Sequence, residues 1–279
     1  AFLISVFDPA IMFNDGFYDL LHIKTPERSL LRPEFPAALG CRTHALSRWF
    51  DVLSGALSLN TPQNSPAAGY GTSPYFIYSG QDEEGRKFNL MEVMYGGLPG
   101  RPFADGLDGH SWWPAFVNIP TEYLETYYPL LVNYYRTGMD SGGAGKFRGG
   151  NCNEKLYTCL ASGTVSIHDD RAKLKPWGIN GGEPGSSSYK VLIRRDGTRQ
   201  ELASKVDNIQ VEKGDQILFV TAGSGGWGDP LERDKEKVRL DVVRGLVGLE
   251  KAKNAYGVVL DPKTLAVDLQ ATEKLREEI

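Results

Sequence analysis

Residues 154–170, EKLYTCLASGTVSIHDD, and residues 214–228, GDQILFVTAGSGGWG, decide the fold class of this 279-residue chain. Both contain short runs rich in β-branched and aromatic residues, and both runs end at Gly, Ser or Asp, which is the pattern of strands joined by turns. Similar runs recur between residues 154 and 222, at 155–160, 164–168, 189–195, 209–211 and 216–221. This half of the chain is therefore predicted to form a β-rich sandwich or barrel.

Helical patterns lie on either side of the strand-rich half. Apolar residues at three- and four-residue steps predict an amphipathic helix of about four turns from Thr43, with its apolar side packed on the core. They are Leu46, Trp49, Phe50, Leu53, Ala56 and Leu57. After Gly228, Asp229 is placed to cap a helix, with Pro230 in its first turn and Glu232 completing a capping box. The fold class expected is α+β, with residues 1–228 as the core and 229–279 as a helical C-terminal appendage.

The N-terminal half shows further local signals. Strand candidates at 75–79 and 88–95 flank QDEEGRK, which predicts a hairpin, and residues 121–128 predict a short helix. The first 40 residues mix short apolar runs with prolines, as strands joined by turns do. Residues 1–7, AFLISVF, predict a buried strand that needs neighbours, so we expect the chain to be part of something longer.

Composition excludes several classes of protein. Lys and Arg number 31 against 35 Asp and Glu, a formal charge of −4, so the chain lacks the basic excess of nucleic-acid-binding proteins. No apolar run approaches the roughly 20 residues of a membrane span, and no signal peptide is recognisable. Three cysteines without a metal-binding or redox spacing indicate a reducing, cytoplasmic setting.

Two segments resemble known catalytic motifs without their context. Asp140-Ser141-Gly142-Gly143 resembles a trypsin-type nucleophile segment, but no matching upstream His exists, so a tight turn is the preferred interpretation. Residues 223–228 fit G-x-G-x-x-G, yet the next acid after a strand, Asp261, lies 38 residues past Gly223 instead of about 20. A Gly-rich turn packed around Trp227 is favoured over a dinucleotide site.

Two other segments are candidate sites. The long Gly-rich loop 96–110 places His110 close to Asp105 and Asp108, a combination that suits acid/base chemistry or a divalent cation. Since no third spaced ligand accompanies them, a purely structural loop is an equal alternative to a metal site. His168-Asp169-Asp170-Arg171 ends a predicted strand, and an Arg flanked by acids can position an anionic group or form a solvated turn. The remaining histidines, His22 and His44, are interpreted as structural.

Eight segments in order together resemble the C-terminal half of the hydantoinase B/oxoprolinase family. They are MFNDGFYD (12–19), CRTHALSRWFDVLSGAL (41–57), GGLPGRPFADGLDGHS (96–111), PTEYLETYYPL (120–130), DSGGAGKFRGG (140–150), TVSIHDDR (164–171), PWGINGGEPG (176–185) and GSGGWGDPLERD (223–234). The resemblance implies a B-type subunit, or part of one, that works with a hydantoinase A-type ATPase on hydantoins, 5-oxoproline or lactams. Close relatives are the large subunits of acetone and acetophenone carboxylases.

The resemblance also limits the site. It places the metal ligands of B-type subunits in the N-terminal half, so a divalent metal ion is expected in the complex with its ligands outside this chain, while ATP is used by the partner. From polar character within the matching segments, His110, Asp108 and Asp105 are predicted as catalytic groups. The predicted substrate-binding residues are Asn14, Asp15, Arg101, His168, Asp170 and Arg171.

Three functions therefore stay open. The leading hypothesis is a component of an ATP-dependent cyclic amidohydrolase, with the N-terminal half of the B-type component, an A-type subunit and a small-molecule substrate as partners. A portion of an ATP-dependent ketone carboxylase is the nearest alternative. A non-catalytic structural subunit is the third, and a stand-alone enzyme is not expected.

Overall fold

The computed structural model describes residues 6, 8, 10–12, 14–113 and 116–279. The strand predicted at 1–7 lies outside the described residues except for Val6. The rest is an α+β fold built on two antiparallel sheets, which confirms the predicted class and, of its two forms, favours the sandwich over the barrel.

The first sheet has four strands. They are β1 (Tyr75–Gln81), β2 (Lys87–Val93), β5 (Gly163–His168) and β8 (Lys205–Val211), in the spatial order β2-β1-β5-β8. The predicted hairpin forms its edge, with Tyr75 opposite Val93 and Gln81 opposite Lys87. The second sheet has five strands. They are β3 (Leu130–Thr137), β4 (Asn153–Cys159), β6 (Tyr189–Ile193), β7 (Arg199–Leu202) and β9 (Gln216–Val220), in the order β3-β4-β9-β6-β7.

The main hydrophobic core lies between the two sheets. Phe76 of β1 stacks on Tyr157 of β4 with ring centroids 4.3 Å apart, and both side chains are buried. In β4 and β9 side chains point alternately to the two faces of the sheet, and one face of each strand is buried. Tyr157, Ile217 and Phe219 lie on these buried faces and belong to the core cluster. An ion pair is buried beside these rings: the ammonium group of Lys155 donates to the carboxylate of Glu92 at 2.6 Å.

The predicted N-terminal helix forms as α1 (Arg42–Ser58), but the expected face is wrong. Its buried residues are polar, namely His44, Ser47, Asp51 and Ser54, whereas Leu46 is 47% exposed. The reason is tertiary, because Asp51 accepts a hydrogen bond from the backbone N–H of Gly69 at 2.9 Å and Ser54 donates to the carbonyl of Pro66. These partners offset the cost of burying polar groups.

The second predicted helix, at 121–128, is confirmed as α2 (Thr121–Tyr127), and three more follow at the C-terminus. They are α3 (Lys235–Val243), α4 (Leu249–Asn254) and α5 (Leu269–Glu278). Asp229 caps only a 3₁₀ turn (Pro230–Glu232), while Asp234 caps α3 with bonds from two backbone N–H groups. The C-terminal helices enclose a second apolar cluster that includes Ala144 of the core, so the segment 229–279 packs on residues 1–228.

The strands expected in the first 40 residues are not found in the part of that segment that is described. It holds a 3₁₀ helix (Asp15–Leu20) and one isolated bridge between Ser29 and Arg32. Prolines interrupt the apolar runs and lack the backbone N–H that a strand donates to its neighbour. A segment without a neighbouring strand cannot form the backbone hydrogen bonds of a sheet. Across the described residues, no helix combines the length and apolarity that crossing a bilayer requires.

Candidate functional site

Five loops meet at one end of the sandwich and pass unusually close to each other. We call this meeting point the glycine junction; its loops are 66–70, 96–110, 140–151, 176–186 and 222–228. Backbone hydrogen bonds join the loops, as from Gly97 N to Ala222 O at 3.1 Å and from Gly226 N to Glu183 O at 2.9 Å. A Cβ on Gly97 would overlap the carbonyl oxygen of Gly150, so only glycine fits there.

The two segments that resemble catalytic motifs, 140–143 and 223–228, both belong to the glycine junction. The G-x-G-x-x-G segment 223–228 is part of it, and Trp227 is buried with its indole N–H donating to the carbonyls of Pro62 and Ser65 at 3.2 and 3.1 Å. The Ser141 hydroxyl is also buried and donates to the carbonyl of Gly138. Both segments are backbone packing, as preferred from the sequence.

The two aspartates predicted as catalytic lie in the glycine junction and are engaged by arginines. Asp105 accepts from both terminal nitrogens of Arg233 at 2.6 and 2.9 Å, and Asp108 accepts from both terminal nitrogens of Arg148 at 2.7 and 2.8 Å. Burial by itself would raise the pKa of Asp105, but the arginines outweigh it and hold that pKa below its usual value. Carboxylates paired with arginines in this way favour a positioning role; a catalytic role for Asp105 and Asp108 stays a prediction.

His110 is exposed and lies apart from both aspartate pairs. Its Nδ1 is 2.9 Å from the carbonyl oxygen of Ser111, and its backbone N–H donates to the carbonyl of Gly96. Among the described residues no group of three or more His, Cys, Asp and Glu side chains is arranged to hold a metal ion. The described part of the chain thus does not fit a metal centre by itself, and a catalytic role for His110 stays a prediction.

Arg101 borders an apolar cleft of about 430 Å³. Its guanidinium donates to the carbonyl of Asp105 at 2.9 Å and lies 5.5 Å from the ring centre of Phe103. Of the described residues that line the cleft, Arg101 alone carries a charge; the others are Val6, Phe50, Asn64, Pro66, Leu98, Pro99, Pro102, Phe103 and Trp112. A largely apolar wall with few polar groups, here Arg101 and Asn64, is typical of small-molecule sites.

A second cluster joins the end of β5 to the buried polar side of α1. Arg171 donates to Asp51 at 2.5 Å, and both side chains are almost fully buried. Asp170 accepts from Lys205 at 2.5 Å and lies 3.7 Å from the Nη2 of Arg48 and 3.9 Å from the Nδ1 of His44. We call these residues the α1–β5 cluster.

Burial sets the direction of the pKa shift at Asp51, Arg171 and His44, whereas at Asp170 it is outweighed by Lys205 and Arg48, which lower the pKa of that carboxyl. Burial raises the pKa of Asp51 even though Arg171, Gly69 and Arg48 oppose the shift, and it lowers the pKa of Arg171 despite the Asp51 carboxylate. Burial likewise lowers the pKa of His44, whose Nε2 has no hydrogen-bond partner among the described residues. Groups displaced from their ordinary pKa occur at functional sites and also in structural ion-pair networks.

Acidification is expected to destabilise the protein in part through His44. Its pKa is lower in the folded state than the ordinary 6.5, so the unfolded chain binds the additional proton first. The stabilisation is complete above pH 6.5 and is lost as the pH falls toward the folded-state value. Denaturation in urea at about pH 7.5 and about pH 5.5 checks this: His44→Asn should flatten the pH dependence. The exposed His110→Asn serves as control, and an unchanged slope in His44→Asn would contradict the assignment.

The structure brings some predicted substrate-binding residues together and separates others. His168, Asp170 and Arg171 lie in or beside the α1–β5 cluster, while Arg101 belongs to the apolar cleft. Asn14 and Asp15 are exposed, and within the described chain neither makes a hydrogen bond to the glycine junction or to the α1–β5 cluster. Their role in binding stays a prediction.

Sequence reasoning missed several partners in these sites. Asp51 and Arg48 were missed because the helix was interpreted only from its apolar positions. Its polar residues at positions 44, 47, 51 and 54 follow the same helical spacing. That second stripe was a usable signal. Arg233 gave none, because it lies 128 residues from Asp105 and meets it only in the fold. Asp241 gave none either, because its role depends on its pairing with Arg233 and with Arg148, which lies 93 residues away.

The sequence of this chain is similar to those of known proteins. The profile of the family described as Hydantoinase B/oxoprolinase matches residues 1–230. The B-type chain of a D-/L-hydantoinase from a Pseudomonas sp. is 33% identical over 267 residues, covering 95% of this chain and 44% of that protein. The acetophenone carboxylase delta subunit of Aromatoleum aromaticum is 25% identical over 309 residues, covering 96% of this chain and 45% of its own.

A solved structure supports the same relationship. The crystal structure of ATP-dependent caprolactamase from Pseudomonas jessenii matches 99% of this chain and 50% of its own, with a TM-score of 0.82 and 25% identity. The chain thus spans about half the length of the relatives it matches.

Proposed function

Because the chain belongs to the hydantoinase B/oxoprolinase family, we propose that it is part of the B-type component of an ATP-dependent cyclic amidohydrolase. Its substrate would be a hydantoin, 5-oxoproline or a lactam. An A-type ATPase subunit would supply the phosphorylation, and the remaining half of the B-type component would supply any divalent metal site. On this proposal the chain is not active alone.

One observation carries the proposal, namely the TM-score of 0.82 with an ATP-dependent caprolactamase over 99% of the chain. The site chemistry agrees with it. A lactam is an apolar ring with one amide, and the 430 Å³ cleft offers apolar walls with one cation, Arg101. Its guanidinium would donate to the amide oxygen, orient the ring and stabilise negative charge that develops on that oxygen.

ATP turnover tests the proposal. The chain, the rest of the B-type component and the A-type subunit are purified together, and phosphate release is measured with hydantoin, 5-oxoproline or caprolactam. Substrate-dependent release supports an amidohydrolase. If phosphate release requires acetone or acetophenone together with bicarbonate, the ketone carboxylase is the correct alternative. The similarity to the acetophenone carboxylase delta subunit is the reason for including this test. No release with any of these overturns the proposal.

Arg101→Ala is expected to raise KM at least about tenfold, because a charge-assisted hydrogen bond is worth about 1.5–3 kcal/mol. Steady-state ATP turnover at varied lactam concentration measures it. Arg86→Ala is the matched control, since Arg86 is an exposed hairpin arginine paired with Asp82. If Arg101→Ala behaves like Arg86→Ala and wild type while the complex assembles normally, Arg101 does not bind the substrate, and this outcome favours the structural role of the third hypothesis.

A further inference from the structure

Three side chains on the surface beside the α1–β5 cluster form a chain of polar contacts. The Cys41 sulfur lies 3.4 Å from Nδ1 of His168, and Nε2 of the same imidazole lies 2.8 Å from a carboxylate oxygen of Asp207. The order is thiol, imidazole, carboxylate. This arrangement is the one that activates a nucleophile, with the base between the attacking group and the group that orients the base.

Each of the three side chains lies on a helix or a strand. His168 is the last residue of β5 and pairs with Lys205 of β8, the strand that also carries Asp207. Cys41 is the N-cap residue of the 17-residue helix α1 and has a left-handed backbone with φ of 58°. A left-handed conformation is uncommon for any residue with a side chain and recurs where a nucleophile is presented on a turn into a helix.

The thiol lies at the N-terminus of a helix. The first turn of a helix presents backbone N–H groups without intrahelical partners and a partial positive charge, and both stabilise negative charge at the N-cap. The hydrogen bond from His168 lowers the pKa of Asp207, so this carboxylate stays ionised and keeps the imidazole oriented. A thiol between a helix N-terminus and a histidine is the usual setting of a catalytic cysteine.

The other two cysteines provide an internal contrast. Cys152 and Cys159 are buried, and burial raises the pKa of Cys152 to about 11 and that of Cys159 to about 12. Cys41 is exposed. Any thiol chemistry of the chain is therefore expected at Cys41.

A cleft for a substrate adjoins the cysteine. Cys41 and Arg42 line a cavity of about 590 Å³ formed mainly by residues 28–45. Its wall combines apolar residues, among them Leu30, Pro33 and Leu39, with the charged residues Arg28, Glu34 and Arg42. It has room for an apolar acyl group.

We propose that Cys41, His168 and Asp207 form a second catalytic site, which transfers or hydrolyses apolar carboxylic acyl groups. His168 takes the thiol proton as the Cys41 sulfur attacks the acyl carbon, and the bond to the leaving group breaks as His168 returns the proton to that group. A thioester on Cys41 results. Water, deprotonated by His168, then attacks the thioester and releases the acid and the thiol, so the sum is ester or amide plus water giving acid plus alcohol or amine.

This site uses neither Arg101 nor the 430 Å³ cleft, and it assigns His168, predicted from the sequence to bind the cyclic-amide substrate, to a different reaction. The test is acylation by p-nitrophenyl butyrate. We expect a burst of about one p-nitrophenol per chain and a butyryl adduct on Cys41, found by peptide mass analysis after an acid quench. Cys152 and Cys159 in the same sample are the internal controls and should stay unmodified.

Variants separate a catalytic triad from a merely exposed thiol. Cys41→Ala should abolish the adduct, and His168→Ala should slow its formation at least about 100-fold, the usual contribution of a general base. Asp207→Asn is the second variant, since this exposed side chain can change without loss of the fold, and a smaller reduction is expected. Iodoacetamide at about pH 6 should alkylate Cys41 faster in wild type than in His168→Ala, because the variant has no imidazole to accept the thiol proton.

Absence of a butyryl adduct on Cys41 in the wild type would overturn the proposal, as would an adduct that forms equally fast in His168→Ala with its fold intact by circular dichroism. Loss of lactam-dependent ATP turnover with an intact butyryl burst would count only against the cyclic-amide function.

Discussion

Arg233→Met is expected to destabilise the protein by about 3–5 kcal/mol, the cost typical of removing one partner from a buried ion pair. Arg233 is 1% exposed and bridges two carboxylates, Asp105 of the glycine junction and Asp241 of α3. Burial opposes its charge, yet the two carboxylates raise its pKa above the ordinary value, so the cation persists. Without it, Asp241 at 6% exposure would keep a single partner, the Nε of Arg148 at 3.3 Å.

The measurement is chemical denaturation of the whole protein at neutral pH. Arg239→Met is the matched control, because Arg239 pairs with Glu236 at the surface of α3, the helix that carries Asp241, and is expected to contribute about 0.5 kcal/mol or less. A double variant with Asp241→Asn should cost less than the sum of the two single variants, because both belong to one network. A loss below about 1 kcal/mol in Arg233→Met would contradict the role assigned to this network.

Gly97→Ala is expected to destabilise the fold by about 3 kcal/mol or more, at the upper end of what overpacking costs. The new methyl would overlap the Gly150 carbonyl oxygen and lie 2.9 Å from the Ser224 nitrogen. Both are backbone atoms held by hydrogen bonds between loops, so neither can move alone. For a chain of this size the melting temperature should fall by about 6–12 °C in a thermal scan.

Gly40→Ala is the control for this substitution. No heavy atom lies within 4 Å of the position that its Cβ would occupy, so the change should stay within about 0.5 kcal/mol of wild type. Equal melting temperatures for Gly97→Ala and Gly40→Ala would show that the loops of the glycine junction can separate without loss of stability. The close crossing of backbones would then not be a determinant of the fold.

Local patterns predicted elements well where burial follows the alternation of the chain. The hairpin of β1 and β2, the strands β4, β5, β6 and β9, and the helix α1 all form where the patterns place them. Strand β3 was missed, because its tyrosines and charged residues resemble a polar surface and only pairing with β4 orders them. Strand β7, with four residues and three of them exposed, has almost no apolar signal of its own.

The candidate sites were predicted less completely. Loop 96–110 was singled out as functional for its glycines and its Asp and His residues, and the structure shows that most of these glycines serve backbone crossings while the two aspartates pair with arginines. The segment 168–171 was identified too, but its partners Asp51, Lys205 and Asp207 come from α1 and β8. No local pattern could connect them, since an ion pair between distant residues leaves no periodic trace in the sequence.

The sequence by itself determined the β-rich core, the flanking helices and the family, because strand alternation, helix caps and glycine-rich segments are local properties that short-range sterics and burial impose. Only the tertiary structure decided which face of α1 is buried, which carboxylates are neutralised by arginine, and that Cys41 meets His168 and Asp207. Those outcomes depend on contacts between residues 12 to 128 positions apart, where tertiary packing rather than local propensity sets the neighbours.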